Sequence, residues 1–240
     1  PLNQGRITAR LIGTTPLYFN AMSAKAKRTL LLGGGKKTAA ERKSDIKHDP
    51  ETEFRSSVYR LRTGQTLLGF PAPGVKGAMA TAALETPGKL TKASVNRLIF
   101  LPEQKIKVWG RPYLKMDVVR SADMNRTPDI RTRAFLPRWV AEVQIAFVTP
   151  ALTAHSVISL LANAGAVIGI GDFRQEKGRG SFGTFAVSSE GDDWQSEWEE
   201  IVKEGREVQQ AVLDDPEVAD EETEELMEVY RDAMKLRLAA

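Results

Sequence analysis

The run Trp139–Val148 alternates apolar and polar side chains about Glu142 and Gln144, and a helical apolar period begins nine residues beyond its end, at Val157. Alternation at period two marks a half-buried strand, whereas Val157, Leu160, Leu161 and Ala164 recur at the spacing of one helix face. Thr153 stands at the N-cap position of that helix, and Phe182–Val187 reads as the strand that closes the unit. The same order occurs once earlier. Arg6–Gly13 alternates and is followed, after an extended Pro71–Pro73 entry, by an alanine-rich helix starting near Gly74. Val75, Met79 and Ala82 or Ala83 share its buried face, and Arg97–Leu101 and Lys105–Trp109 read as strands, paired as a hairpin around Pro102-Glu103. Two strand–helix–strand halves specify an α+β fold with a ferredoxin-like, RRM-like βαββαβ core, a frame also used by RNA-binding sheets.

Two long stretches fall outside that frame. Residues 20–56 hold a basic cluster, three consecutive glycines and a charged segment, and read as a loop excursion; a short strand follows at Ser57–Leu61. Residues 110–135 include Arg120–Arg133, with four arginines and two aspartates, and read as an exposed loop or hairpin arm. Uninterrupted loops of such length inside a domain are either functional or disordered. Beyond Gly191 two amphipathic helices are expected, over 192–213 and 220–238, with Asp214-Asp-Pro216 between them. The expected division is therefore a body, 1–189, and an acidic helical hairpin, 190–240.

Charge follows the same division. Residues 1–189 carry 29 Lys and Arg against 13 Asp and Glu, a balance of +16, whereas residues 190–240 carry 5 against 18, a balance of −13. The +3 of the whole chain hides this asymmetry, which is the composition of a polyanion-binding body with an acidic appendage. There is no cysteine, which removes disulfides, thiolate metal sites and cysteine nucleophiles. The apolar stretch around Ser156–Ile170 is too short to span a bilayer, and no signal-peptide layout opens the sequence, so a cytoplasmic protein without membrane contact is expected.

The chemistry of catalysis is sparse. His48 and His155 are the only histidines and lie in unlike settings, His48 in a solvated loop and His155 at a helix start. Gly35-Lys36 lacks the spacing of an NTPase phosphate loop, because Leu30 stands where the first glycine belongs and Lys37 where Ser or Thr belongs. Gly178–Gly183 matches the letters of a dinucleotide-binding turn but enters a strand instead of opening a helix. No cofactor is expected. What remains is a stretch with five glycines, Gly169 to Gly183, interleaved with Arg174, Lys177 and Arg179. It reads either as a turn between helix and strand or as a cradle for phosphates. Core packing and base stacking are both open to its Phe182.

Phe70-Pro-Ala-Pro-Gly-Val-Lys-Gly-Ala-Met79 resembles a segment of the RAMP superfamily of CRISPR-associated proteins that reads roughly Ile-Pro-Gly-Ser-Ser-Leu-Lys-Gly-Ala-Leu-Arg. Lys177-Gly-Arg-Gly-Ser-Phe-Gly183 is similar to that superfamily's C-terminal glycine-rich loop, and Ile7–Leu17 to its opening strand. The resemblance covers about residues 6–187 and is to the repeating backbone subunit of guide-RNA effector complexes. It implies a non-catalytic chain that stacks head to tail along a guide RNA, presents it to a complementary target nucleic acid, and meets other effector-complex subunits. The residues it singles out for RNA contact are Lys76 and the loop Arg174, Lys177, Gly178, Arg179 and Gly180. To these the basic positions add Lys25, Lys27, Arg28, Arg60, Arg62, Arg120, Arg126 and Arg131, with Met124 in the arm to wedge between bases. Pro73, Gly74 and Ala80 depart from the superfamily's two serines and arginine, and the stretch Arg55-Ser-Ser57, where RNA-cleaving members hold an aspartate, has no acid, the nearest being Asp45, Asp49, Glu51 and Glu53. Binding without cleavage is therefore expected. The alternatives are a single-stranded DNA binding or annealing protein, and a metal-dependent ribonuclease using Asp45 or Asp49.

Overall fold

The structure, a computed structural model, describes residues 1–33, 47–85, 90–120, 127–176, 180–188 and 194–238. Contacts divide the chain into two compact units, one of residues 1–18, 59–112 and 136–211, the other of residues 19–58, 113–135 and 212–240.

The first unit is built on a sheet of seven strands, β1 (Asn3–Gly13), β3 (Tyr59–Arg60), β4 (Leu68–Pro71), β5 (Ile99–Phe100), β6 (Lys105–Trp109), β9 (Val140–Thr149) and β10 (Phe185–Val187), with the short β2 (Leu17–Tyr18) outside that sheet. Their order is β10-β1-β9-β6-β4-β3, with β5 also on β9, and every pairing is antiparallel. Helix α3 (Ala72–Glu85) lies between β1 and β6 in the chain, and α5 (Ala154–Val167) lies between β9 and β10. Strands β10, β1, β9 and β6 thus take the places of the fourth, first, third and second strands of a βαββαβ frame. This is the ferredoxin-like α+β fold that the order of apolar periods specifies.

Strand alternation sends Ala9, Leu11, Val143, Ile145 and Phe147 to one face of the sheet, where all are buried. The helix faces carrying Val75, Met79, Ala82 and Ala83, and Val157, Leu160, Leu161 and Ala164, are buried as their spacing predicts. Thr153 caps α5 in a reciprocal box with Ser156. The opposite face of the sheet is polar and forms rows set by register: Arg6, Ala146 and Phe100; Thr8 and Gln144; Arg10, Glu142 and Lys107; and Ile12, Val140 and Trp109. Strands β5 and β6 do not pair with each other across Pro102-Glu103; each adds separately to β9.

Part of the acidic segment belongs to this unit, so the compact units do not divide at residue 189. Residues 192–213, read as one helix, hold α6 (Trp194–Val202) and α7 (Arg206–Asp214) around a turn at Lys203–Gly205. On α6, Trp198 and Ile201 pack against Ile12, Trp109 and Val140, closing one end of the polar face. The Trp109 and Trp198 rings lie 5.9 Å apart. Arg138 grips Glu200 with two bonds of 2.8 and 3.0 Å, which anchors the helix beside the start of β9.

The second unit gathers both expected insertions with residues 212–240. The 20–56 excursion is not structureless: it contains α1 (Ala24–Leu32) and α2 (Pro50–Ser57). Asp49 caps α2 and Pro50 opens it, the arrangement that satisfies one free N–H and needs no other at its first position. The arm is a hairpin, β7 (Tyr113–Arg120) with β8 (Pro128–Leu136), paired from Tyr113↔Phe135 to Arg120↔Pro128. Helices α2 and α8 (Glu221–Leu238) pack on β7. Asp220 caps α8 through Thr223 and also pairs with Lys115. In the first unit a further helix, α4 (Lys92–Leu98), takes Arg97 and Leu98 out of the expected strand Arg97–Leu101 and leaves β5 with Ile99 and Phe100.

Candidate nucleic-acid interface

On either side of residues 177–179, the glycine stretch is a folded knot. The amides of Gly169, Ile170, Asp172, Phe182 and Gly183 donate to the carbonyls of Ala164, Gly183, Tyr18, Phe173 and Pro16, at 2.8–3.3 Å. Donors committed to backbone carbonyls are not open to phosphate oxygens, so these five positions act in packing and not as a cradle. Phe173 and Phe182 set their rings edge-on against Tyr18, at 5.4 and 5.0 Å. Gly180 passes so close to Phe173 that an added Cβ would lie 1.5 Å from its carbonyl oxygen. Lys177, Gly178 and Arg179 lie outside the described residues.

Gly183 carries the sharpest constraint. Its φ is +72°, and a Cβ there would meet the Ile170 oxygen at 1.7 Å. Gly183→Ala is expected to cost about 2–4 kcal/mol of stability through backbone strain and overpacking. Thermal unfolding of the variant checks this; a melting temperature equal to that of the parent would place the need for glycine in ligand binding instead.

Lys76 is the fifth residue of α3, and its ammonium donates to the Asn96 carbonyl at 2.8 Å while lying 5.6 Å from the centre of the Phe100 ring. It thereby satisfies a carbonyl in the last turn of α4, where a cation also complements the helix dipole. Arg174 folds back onto Glu176 (3.0 Å) and the Gly171 carbonyl (3.0 Å), so much of its charge is compensated locally. Arg60 and Arg62 are exposed, on β3 and just after it, and Lys105 donates to the Arg60 carbonyl at 2.7 Å.

In the second unit, Lys27 and Arg28 are exposed on α1, and Arg120 is exposed at the end of β7. Arg131 is exposed on β8 and pairs with Asp129 at 3.6 Å. Met124, Arg126 and the side chain of Lys25 lie outside the described residues, as does Asp45. Asp49 spends a carboxylate oxygen on the Thr52 amide, 3.2 Å away. Among the described residues no group of three or more histidines and carboxylates is placed to hold a metal.

His48 is not in a solvated loop. Its two ring nitrogens lie 3.1 Å from Glu53 and 3.1 Å from Asp129, in a half-buried cluster that ties the start of α2 to β8. Lys47 bonds to Asp129 at 2.8 Å, and together Lys47 and His48 hold that carboxyl below the usual carboxylate range. The stability this confers is present above the unfolded pKa of Asp129 and is lost as pH falls through the depressed folded value. With both nitrogens engaged by carboxylates, the imidazole acts as a clasp. On β7, burial pushes the Asp117 carboxyl up, against the opposing pull of Lys115 and Arg133. His155 is exposed at the start of α5, as its position predicts.

The residues that sequence reasoning overlooked are those of the polar sheet face. Arg10 stacks over Trp198 at 4.9 Å, and Lys107 pairs with Glu142 at 2.8 Å, which pushes the lysine pKa up. Arg6 contacts the Gln4 amide and, among the described residues, no carboxylate within ion-pair distance. The signal was available as the polar members of the Arg6–Gly13 alternation. Phe100 had none, because its face depends on a pairing with β9.

No family model matches the sequence, and no curated protein matches it. Among solved structures, the crystal structure of Cmr6 from Pyrococcus furiosus is similar at a TM-score of 0.37 and 10% identity, over 78% of this chain and 98% of that one. The fold assignment above rests on strand order and pairing. No described helix is long and apolar enough to cross a membrane.

Proposed function

We propose that this chain is a non-catalytic RNA-binding subunit that assembles head to tail along a guide RNA in a CRISPR-type effector complex, presenting the guide for target pairing. The observation that carries the reading is the +16 balance of residues 1–189, combined with a ferredoxin-like sheet whose outer face bears arginines and lysines. The resemblance of Phe70–Met79 and Lys177–Gly183 to the RAMP superfamily supplies the guide-RNA context. Lys76, Arg60, Arg62, Lys177 and Arg179 follow the RNA backbone, and the arm residues Arg120, Met124, Arg126 and Arg131 interrupt base stacking at intervals. The acidic residues hold part of the basic surface in intramolecular pairs, such as Arg138–Glu200 and Lys115–Asp220.

Mass photometry of the protein on unstructured RNAs of increasing length tests the assembly, with copy number expected to rise in steps with length. Roughly five phosphate contacts per copy predict about a hundredfold weakening between about 50 and 200 mM salt. Constant 1:1 stoichiometry would remove the filament. Equal affinity for DNA of the same length would favour a single-stranded DNA binding protein, because preference for RNA requires contacts to the 2′-hydroxyl.

A further inference from the structure

The polar face of the first unit is closed at one end and open at the other. Trp198 and Ile201 cover the row of Ile12, Val140 and Trp109. At the far end, in the row Arg6, Ala146 and Phe100, the two outer side chains are exposed, and the central one is a single buried methyl. Residues directly opposed in an antiparallel sheet stand on the same face. The small Ala146 therefore leaves a hollow bounded by a guanidinium on one side and an aromatic ring on the other. A cavity of about 370 Å³ lies there, lined by Gln4, Arg6, Thr8, Phe100, Pro102 and Gln144 among others. That volume falls at the lower end of small-ligand sites, which run from about 300 to 1,000 Å³.

Three features describe the ligand. Phe100 is 42% exposed, although nearly all the large aromatic side chains of the sheet's helix-facing side are buried. Among the described residues no carboxylate lines the cavity, whereas Arg6 does. Lys76 lies over the same ring and lines an adjoining cavity with Lys105 and Glu103, so a second cation stands at Phe100 besides Arg6 across the hollow. A ring for stacking, amide and hydroxyl groups for a polar edge, and cations without a carboxylate match an unpaired nucleotide of a single strand.

We propose that this hollow holds one unpaired nucleotide of single-stranded RNA, its base stacked on Phe100 and its phosphate on Arg6. Gln4, Thr8 and Gln144 meet the polar edge of the base. The site rests on the RNA-binding reading above and adds a position to it that neither the glycine stretch nor the arm contains. Base stacking there fixes the register of the strand on each copy, while contacts to phosphate alone leave the strand free to slide.

The test is fluorescence anisotropy of the full chain with a short labelled uridine oligonucleotide and with an abasic oligonucleotide of equal length. Phe100→Ala is expected to weaken binding of the uridine strand about tenfold, in line with the loss of one stacked base, and to leave the abasic strand unchanged. Phe100→Tyr should restore the affinity, and Arg6→Gln should weaken both strands. Because Phe100 is partly exposed, an unchanged melting temperature separates these effects from misfolding. Parental affinity of Phe100→Ala for uridine RNA overturns the stacking site and leaves the RNA-binding reading standing. Equal losses on both strands also overturn it, as would loss of self-association in Phe100→Ala with RNA affinity retained, which would assign the hollow to a protein partner. Failure of the parent chain to bind any RNA overturns both.

Discussion

A chain ending at Ser189 is expected to lose cooperative folding of its first unit, although the composition of residues 190–240 reads as a separable acidic appendage. Trp198 is 9% exposed and, with Ile201, seals Ile12, Val140 and Trp109 at one end of the sheet. Removing a buried tryptophan alone costs about 3–5 kcal/mol. Arg206 adds bonds to the carbonyls of Leu61, Gly64 and Thr66 at 2.8–3.1 Å, all lost in the same truncation. Against a total stability of about 5–15 kcal/mol for a domain, these losses together remove most or all of the margin. Circular dichroism melts and amide dispersion in a proton–nitrogen spectrum measure the outcome. A truncated chain with the parent's melting temperature would show that the acidic segment is dispensable to the body.

Gln209→Leu is expected to cost about 3–5 kcal/mol, more than Gly183→Ala. The side chain is fully buried and uses both ends of its amide. Its Oε1 accepts from Thr66 Oγ1 at 2.9 Å, Leu67 N at 2.8 Å and Leu68 N at 3.2 Å, while Nε2 donates to the carbonyls of Gly110 (3.1 Å) and Glu204 (2.9 Å). Leucine fills nearly the same space and satisfies none of them. Thr66 Oγ1 keeps the Val108 carbonyl and Leu68 N keeps Thr66 Oγ1, so the loss falls on Leu67 N and the Gly110 and Glu204 carbonyls, at about 1–3 kcal/mol for each buried polar group left unpaired. The groups affected begin β4 and follow β6, so the damage falls on two strands of the sheet. A fall in melting temperature of about 10 °C or more is the expected reading; a shift within a degree or two would mean that water or a neighbour replaces the amide.

Local order decided which parts of the molecule were legible. Apolar periods placed β1, α3, β9 and α5 because each element's buried face is encoded within its own few turns or residues. The cap at Thr153 is equally local. Helix α2 was hidden because its buried side is only Pro50, Phe54 and Ser57 among charged neighbours. Helix α4 is seven residues long, too short for a periodic signal. The acidic segment showed its amphipathic pattern but not the surface that receives it, since the partners of Trp198 lie on β1, β6 and β9.

The glycine stretch divides along the same line. Its composition allowed a phosphate cradle or a turn, and only the folded chain reveals that five of its amides are already bonded, two of them to Tyr18 and Pro16. Likewise Gln209 is an ordinary polar residue in sequence and becomes the centre of a buried clamp only when Thr66 and Gly110 converge on it. From the sequence alone come the fold class, the two helices of the frame with their core faces, and the separation of charge. Tertiary structure decides the insertion unit, the anchoring of the acidic helices, and the row Arg6, Ala146 and Phe100. The reason is that register and long-range contact join residues far apart in the chain, and no local period records which strand another will meet.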